Sequence, residues 1–521
     1  MDRKWWTLGA VCIGIFMLLL DLTIVNVALP NIQHDFHASL SDLQWVIDAY
    51  ALTLAALLLM AGSLADLWGR RRVFAVGIVV FTAGSALCGA STGPLFIILA
   101  RAFQGIGGAV MFATSLALLA HAFRGRERGT AFGVYGAVTG IAVAVGPVLG
   151  GVITSGISWR WIFFVNIPIG IVALGVTLSK VEESRNPAAG RPDWLGFGTF
   201  SCSLAALIYA LIESTSSGWQ APSVIWPLVA SGTLFVAFLA GEQRRRDPMF
   251  DFSLLKKPTF SGGLVAAFGV NASIFALFTY LVLYLQNALG LSAVATGVVF
   301  LLLTGPTFVT AAVAGRLTTK VPIRLLIAAG FALTGIGIVL MTGLDVHSTW
   351  THLAAGLVVA GVGVGLINVP LASTAVGVVE PAQAGMASGI NSTLRQVGTA
   401  TGIAALGSIF AGTVHSSVVS SLDSTPLRSV AGRIAAGVAN GAGRPHVRGA
   451  PSAVQKLVER AALGGFVHGL NEILWIGAAI CFLAGALCLV LIRRKDFTAS
   501  HTGEAVARPT RADPEPSLER V

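Results

Sequence analysis

Three charged side chains stand inside stretches that are otherwise almost wholly apolar: Asp21, Asp48 and Arg101. A charge near a bilayer centre costs at least ~2.5–3.5 kcal/mol on insertion scales, so each is a functional candidate. A carboxyl in such a place can take up and release a proton, whereas a guanidinium stays charged and needs acidic or carbonyl partners. These residue types suit proton transfer linked to ion pairing. Asp21 lies deep in its run, within Leu20-Asp21-Leu22-Thr23-Ile24-Val25-Asn26-Val27-Ala28-Leu29-Pro30. Arg101 opens Arg101-Ala102-Phe103-Gln104-Gly105-Ile106-Gly107, where Arg101 and Gln104, three apart, share a helix face. Asp21 is the natural partner for Arg101, in a coupling pair or in a purely structural one. Asp48, in Trp45-Val46-Ile47-Asp48-Ala49-Tyr50, sits nearer the end of its run. It reads equally as a coupling group and as an interfacial carboxylate beside Trp45 and Tyr50. Asn26, Gln104, Asn391 and Arg395 are further polar groups in apolar surroundings and are assigned to a substrate cavity. Arg395 could meet an acidic group of a substrate, pair with a carboxylate, or lie at the membrane interface.

The elements that must position these groups follow from composition. The chain has 521 residues, 55% hydrophobic and 11% charged, against roughly 25% charged in an average soluble chain. With a mean hydropathy of +0.80, this reads as a polytopic membrane protein. Fourteen apolar runs approach the ~20 residues a bilayer needs. They fall at about 7–29, 43–64, 73–90, 95–119, 130–152, 161–179, 194–213, 222–241, 260–285, 293–314, 322–343, 352–372, 386–411 and 467–492. The first run follows Arg3-Lys4, but its length, Asp21 and the lack of a small-x-small cleavage site mark it as a permanent span. Cys12, Cys88, Cys202, Cys481 and Cys488 all lie in apolar runs, with no metal-ligand pairing.

The net charge of +10 resolves into topology. With the N-terminus cytoplasmic, the inner loops hold Arg70–Arg72, Arg124 to Arg128, Lys180 to Arg191, Arg244 to Lys257, Arg316 to Arg324 and Arg493 to Lys495. The outer loops 30–42, 214–221, 286–292 and 344–351 hold no Lys or Arg. That is the positive-inside pattern. Two places fit less well: the inner loop at Glu380-Pro381 has no base, and the outer segment 412–466 has several. Long loops obey the rule poorly, and 412–466 is expected to be a partly helical or mobile outer loop. The tail 496–521 has the composition of a disordered cytoplasmic terminus.

Between the second and third runs lies Gly62-Ser63-Leu64-Ala65-Asp66-Leu67-Trp68-Gly69-Arg70-Arg71-Arg72. It reads as a tight hairpin between spans, with Gly62 and Gly69 easing the backbone path. The spacing resembles the signature loop of the major facilitator superfamily of transporters. Gly315-Arg316-Leu317-Thr318-Thr319-Lys320 echoes it faintly in the second half, as related bundles would. The stretch around Asp21 resembles the first-helix motif of the superfamily's fourteen-helix drug:proton antiporters. The Arg101 motif resembles their fourth-helix arginine motif, implicated in proton coupling. In the fifth run, Gly140 and Gly146-Pro147-Val148-Leu149-Gly150-Gly151 resemble the antiporter motif that marks exporters; small residues there let helices pack closely. The strings from Trp159 to Gly170 and from Gly389 to Gly398 are also similar to that family.

The resemblance implies an all-α membrane protein of fourteen transmembrane helices: six-helix bundles at 1–180 and 258–495, and two inserted helices within 181–257. It implies a proton-coupled exporter of amphipathic small molecules, drugs or antibiotics, in a bacterial cytoplasmic membrane with both termini cytoplasmic. Asp21, Asp48 and Arg101 would couple to protons. The loop with Gly62, Asp66, Gly69, Arg70 and Arg72 would latch the bundles. The expected partners are an amphipathic substrate, protons and lipid, with no nucleic acid, and the protein is expected to be a monomer. No Gly-x-x-x-x-Gly-Lys-Ser/Thr loop appears, so the proton gradient and no cofactor is the expected energy source. His34 and His37, three apart in a loop without other ligands, do not make a metal site. The rivals are an importer on the same fold and, with no catalytic cluster in any loop to support it, a multi-span enzyme acting on lipid.

Overall fold

The structure is a computed structural model that describes residues 2–123, 125–185, 193–245, 252–318, 320–379, 384–439, 451–493 and 496. The readings placed on Arg124, Arg191, Arg246, Thr319, Glu380-Pro381, Arg494-Lys495 and the tail beyond Asp496 lie outside these residues. The apolar runs form helices, as burial of backbone polar groups in lipid requires. The first half holds α1 (Arg3–Phe36), α2 (Leu40–Trp68), α3 (Arg70–Gly89), α4 (Pro94–Ala122), α5 (Gly125–Gly156), the short α6 (Trp161–Phe164) and α7 (Asn166–Lys180). The inserted pair is α8 (Trp194–Ser217) and α9 (Pro222–Arg244). The second half holds α10 (Pro258–Val270), α11 (Ala276–Leu283), α12 (Ala293–Leu317), α13 (Ile323–Leu340), α14 (Thr351–Val376), α15 (Ala384–Leu422), α16 (Ala431–Ala439) and α17 (Ser452–Leu491). Turns of π-helix at Asn271–Phe275 and Tyr284–Ala288 extend α10 and α11 into one span, Pro258–Ala288. Thirteen segments are long and apolar enough to cross a membrane, or fourteen with α2 as one bent span. The fourteen runs and the all-helical fold class are thus met.

One expectation changes. The stretch 62–72 is hardly a loop: α2 runs through Trp68, α3 starts at Arg70, and Gly62 is an interior helical residue. Gly69 alone breaks the helix, with φ +106°, a conformation that L side chains rarely adopt. Segment 412–466 is helical over most of its described length. The ends of α15 and α17 run past the apolar spans, and α16 packs between them through Ala431, Ala435 and Val438 against Val418 and Leu422. Residues 440–450 lie outside the described set.

The apolar core is divided in a way that defines the conformation. One cluster crosses from the first half to the second, joining Ile24, Ala28 and Ile32 of α1 to Leu277 and Leu281 of α11 and to Phe300 of α12. These residues lie toward the end opposite the arginine turn, here called the far end. At the arginine-rich basic end the clusters are separate: Leu8, Phe74, Leu118 and Val181 in the first half, Leu254, Phe260 and Val378 in the second. Hydrogen bonds across the halves follow the same division. Gln286 Nε2 donates to the Val27 carbonyl at 2.8 Å, Asn287 Nδ2 to Gln33 Oε1 at 2.9 Å, and Thr279 Oγ1 to Asn26 Oδ1 at 3.1 Å. The molecule is closed at the far end.

The inserted pair packs across the other seam. Leu204, Ile208 and Ile212 of α8 join Ala51 and Ala55 of α2 to Ala400 and Ala404 of α15, and Ser214 Oγ donates to Ser408 Oγ at 2.7 Å. Helix α9 exposes Trp226 and Val236 outward, as a lipid-facing helix would.

On the α5–α12 seam, backbones approach so closely that only glycine fits. A Cβ at Gly297 would lie 2.9 Å from the Pro147 carbonyl carbon and 3.0 Å from Val148 Cα, with the Pro147 oxygen closer still. Gly305, two turns on, has open space. Overpacking typically costs about 1–3 kcal/mol. Gly297→Ala is therefore expected to lower the thermal unfolding midpoint of the purified protein, and Gly305→Ala to leave it unchanged or raise it. Equal effects of the two would show that the approach at Gly297 carries no strain.

Candidate functional site

The deepest polar constellation is built on α1 and α4. Asp21 and Arg101 are both essentially inaccessible, at 0% and 1% exposure. Arg101 Nη1 donates to Asp21 Oδ2 at 2.5 Å and to Gln104 Oε1 at 2.9 Å. Gln104 Nε2 donates to Asp21 Oδ1 at 2.9 Å, which the three-residue spacing of Arg101 and Gln104 makes possible. Arg101 Nε reaches across to the Val46 carbonyl of α2 at 3.1 Å, and its guanidinium lies over the Tyr50 ring, 4.2 Å from the centroid. On the remaining side Asn166 Nδ2 faces Asp21 Oδ1 at 3.4 Å and Ser85 Oγ at 3.0 Å. Ser85 Oγ in turn donates to the Phe163 carbonyl at 2.9 Å.

Five helices thus contribute to one network around the Asp21 carboxylate. A buried ion pair holds only when its remaining donors and acceptors are satisfied, because desolvation offsets the Coulombic gain. Gln104, Asn166 and the Val46 carbonyl supply that satisfaction. Gln104 was expected in a substrate cavity; it is fully buried within this network. Asn166, Ser85 and Tyr50 are members that the sequence reading did not single out. The only sequence signal for Asn166 was an amide inside the apolar run Phe164-Val165-Asn166-Ile167.

Asp48 is equally buried and differs in its bonding. It is not interfacial, as one reading of its position had it, but 0% exposed, because α8 and α15 cover this face of α2. Neither carboxyl oxygen has a hydrogen-bond partner among the described residues. One turn before it, Gln44 Nε2 donates to Tyr280 Oη at 3.0 Å and approaches the Ile403 carbonyl at 3.4 Å. Tyr280 Oη donates to that same carbonyl at 2.6 Å. This clasp joins the two halves on the closed side of the molecule, and a Cβ at Gly407 would collide with Gln44 and Tyr280.

The other sequence candidates fall in three places. Asn26 lies at the seam, held by Thr279. Asn391 is buried inside the second half, with Nδ2 3.4 Å from the Gly263 carbonyl. Arg395 is half-buried, and its Nη2 donates to Asn368 Oδ1 at 2.9 Å. At the basic end, Asp66 Oδ1 accepts from Arg70 Nη2 at 2.7 Å. The sequence reading did not include Glu183. Its Oε1 accepts from the Arg71 amide at 3.1 Å, its Oε2 lies 3.7 Å from Arg72 Nε, and its carboxylate fills the space beside Gly69. In α5, Gly146 and Gly150 abut Thr23 and Ile24 of α1, Gly151 abuts the Ala293 carbonyl of α12, and Gly140 faces Phe308. Pro147 is the residue whose carbonyl meets Gly297. The motif therefore packs α5 against both halves.

The two carboxyls give opposite expectations for stability. Removing one partner of a buried ion pair costs about 3–5 kcal/mol, because the other charge is left uncompensated. Asp21→Asn is expected to destabilise the purified protein strongly, and Arg101→Gln added to it should restore part of the loss. Asp48→Asn, which breaks no hydrogen bond, should be nearly neutral in the same unfolding assay. A loss at Asp48 as large as that at Asp21 would show that it has a partner.

Comparison with known proteins agrees with this architecture. A family model described as Major Facilitator Superfamily matches residues 11–403. The chain is 34% identical over 514 residues to the puromycin resistance protein pur8 of Streptomyces alboniger, covering 98% of this chain and 95% of that one. It is 36% identical over 409 residues to the multidrug resistance protein Stp of Mycobacterium tuberculosis, covering 78% and 75%. It is 30% identical over 491 residues to the tetracenomycin C resistance and export protein of Streptomyces glaucescens, covering 94% and 91%. In fold it is similar to a bacterial homolog of the human lysosomal transporter Spinster, crystallised in an inward-facing and occupied conformation. The TM-score is 0.61 at 15% identity, with 96% and 99% of the two chains covered. Two helical halves meeting across glycine-lined seams, a buried Asp–Arg network in the first of them, and similarity along nearly the whole chain have one explanation: the protein is a multi-pass membrane transporter, not an enzyme, and belongs to the major facilitator superfamily.

Proposed function

We propose that the protein is a proton-coupled antiporter that exports amphipathic small molecules, drugs or antibiotics among them, from a bacterial cytoplasm by alternating access. The observation that carries the coupling is the contrast between its two buried carboxyls. Asp21 is locked by Arg101 and Gln104, while Asp48 has no hydrogen-bond partner among the described residues and lies one helical turn from the Gln44–Tyr280 clasp between the halves. Burying an unpaired charge is costly. A proton arriving at or leaving Asp48 therefore changes the free energy of the closed far end directly, and that difference biases one conformer over the other. Asp21 and Arg101 form the rigid base against which that change acts. The direction of transport is supported by the relatives, which include a resistance and export protein, and by the small-residue face of α5.

In this reading both termini and the arginine-rich turn are cytoplasmic, following the basic loops, and the far end faces outward. The present conformation is closed to the outside. Opening outward requires the separated apolar clusters of the basic end to meet, and the turn at Gly69 with Asp66, Arg70 and Arg72 is the latch that they would close upon. Glu183 holds Arg71 and Arg72 within their own half meanwhile. No cofactor enters the cycle; the proton gradient supplies the energy. A monomer holds every residue invoked, surrounded by lipid.

Cells expressing the protein should extrude the fluorescent cation ethidium, and a protonophore should abolish the extrusion. Asp48→Asn, at equal expression, should abolish gradient-driven extrusion while the purified variant still binds the dye. Extrusion that survives the protonophore would overturn proton coupling; full extrusion by Asp48→Asn would remove Asp48 from it.

A further inference from the structure

The proposed cycle leaves one buried cation unexplained. Arg395 stands on α15, half-buried, in the second half of the molecule. Its recorded side-chain bond is to the Asn368 amide oxygen of α14, which satisfies a donor but cancels no charge. Among the described residues no carboxylate forms an ion pair with it, in contrast to Arg101, which has Asp21 at 2.5 Å. The Asn368 Nδ2 donates to no protein atom among those residues. Tyr135, on α5 of the first half, stands across the seam in the neighbourhood of the guanidinium. The location is the half of the molecule where the apolar clusters of the two bundles are separate.

A guanidinium carries five donors in a planar fork that matches carboxylate and sulfonate oxygens. A partly desolvated cation lacking a counter-charge gains most from an anionic ligand, because the low-dielectric surroundings strengthen the pair. We infer that Arg395 and Asn368, with Tyr135 opposite, form a subsite for the acidic group of an otherwise apolar aromatic cargo: a carboxylate, sulfonate or phenolate. The inference rests on the export reading above and adds an acidic aromatic class to its cargo. It also makes the two halves unlike: the first keeps its cation cancelled by Asp21, and the second keeps one open to the cargo.

The test uses two probes that share a ring system and differ in one acidic group, anilinonaphthalene sulfonate and phenylnaphthylamine. Binding to the full-length protein in nanodiscs is measured above that of empty nanodiscs, and uptake is measured in inverted vesicles energised by a proton gradient. The wild type should bind the sulfonate more tightly than the neutral amine. Arg395→Gln should weaken the sulfonate about tenfold or more, the loss of one charge-assisted pair, and leave the amine within about twofold. Arg395→Lys should restore part of the sulfonate affinity. Equal loss of both probes in Arg395→Gln would mark the arginine as structural, and unchanged sulfonate binding would overturn the subsite. Arginine-dependent binding of the sulfonate without gradient-driven uptake of either probe would leave the subsite standing and sink the export reading. Uptake of both probes unaffected by Arg395→Gln would do the reverse.

Discussion

The ion pair between Asp21 and Arg101 constrains everything around it. Neither charge can reach water, so each polar valence has to be met from within the first bundle, and five helices contribute. Gln104 bridges both partners. Val46 lends a carbonyl, Tyr50 a ring face, and Asn166 closes the remaining side. A network this densely bonded resists rearrangement, because altering one member strands the others. The network ties the helices of the first bundle to one another, and the seams hold that bundle's contacts with the second.

Those seams are built from absences of side chains. On one, the Gly146–Gly151 face of α5 lets α1 and α12 approach to backbone contact, and Gly297 returns the favour from α12. On the other, Gly407 leaves room for the Gln44–Tyr280 clasp, and α8 covers the outside through Ile208 and Ile212. Apolar side chains also pack across these joints, with Ile24, Leu277 and Phe300 in one cluster and Ala51, Ile208 and Ala404 in another. The apolar cluster is continuous across the halves at the far end and divided at the basic end.

The sequence displayed the helices and their approximate ends, since a 3.6-residue backbone in lipid leaves no other choice for long apolar runs. It also displayed the partnership of Asp21 with Arg101, since each is too costly to bury alone. It did not display what depends on tertiary approach. Asp48 resembled an interfacial residue because Trp45 and Tyr50 flank it; only the packing of α8 and α15 on α2 makes it buried. Gln104 resembled a cavity residue because its amide could serve either way. Glu183 lies in a stretch that reads as an ordinary charged connection, and its role comes from the turn of chain that brings it to Gly69. The break between α2 and α3 shrank to one residue because Asp66 and Arg70 pair across it with helical spacing, which a list of loop-forming residues does not reveal.

The placement of the two carboxyls bears on which of them can work as a switch in the proposed cycle. Protonating Asp21 would deprive Arg101 of its counter-charge and weaken bonds to Gln104 and Asn166 at once. Such a step is expensive and spread over a whole bundle. Protonating or deprotonating Asp48 breaks no bond, and the change in charge is felt at the Gln44–Tyr280 clasp, where the two halves meet. A switch has to alter the relative energy of two conformers by a few kcal/mol without dismantling either. The unpartnered carboxyl meets that requirement, and the paired one supplies the fixed frame. Sequence resemblance ranks Asp21 first because its motif is the more recognisable. The packing ranks Asp48 first in that cycle, because no hydrogen bond among the described residues has to break when its charge changes.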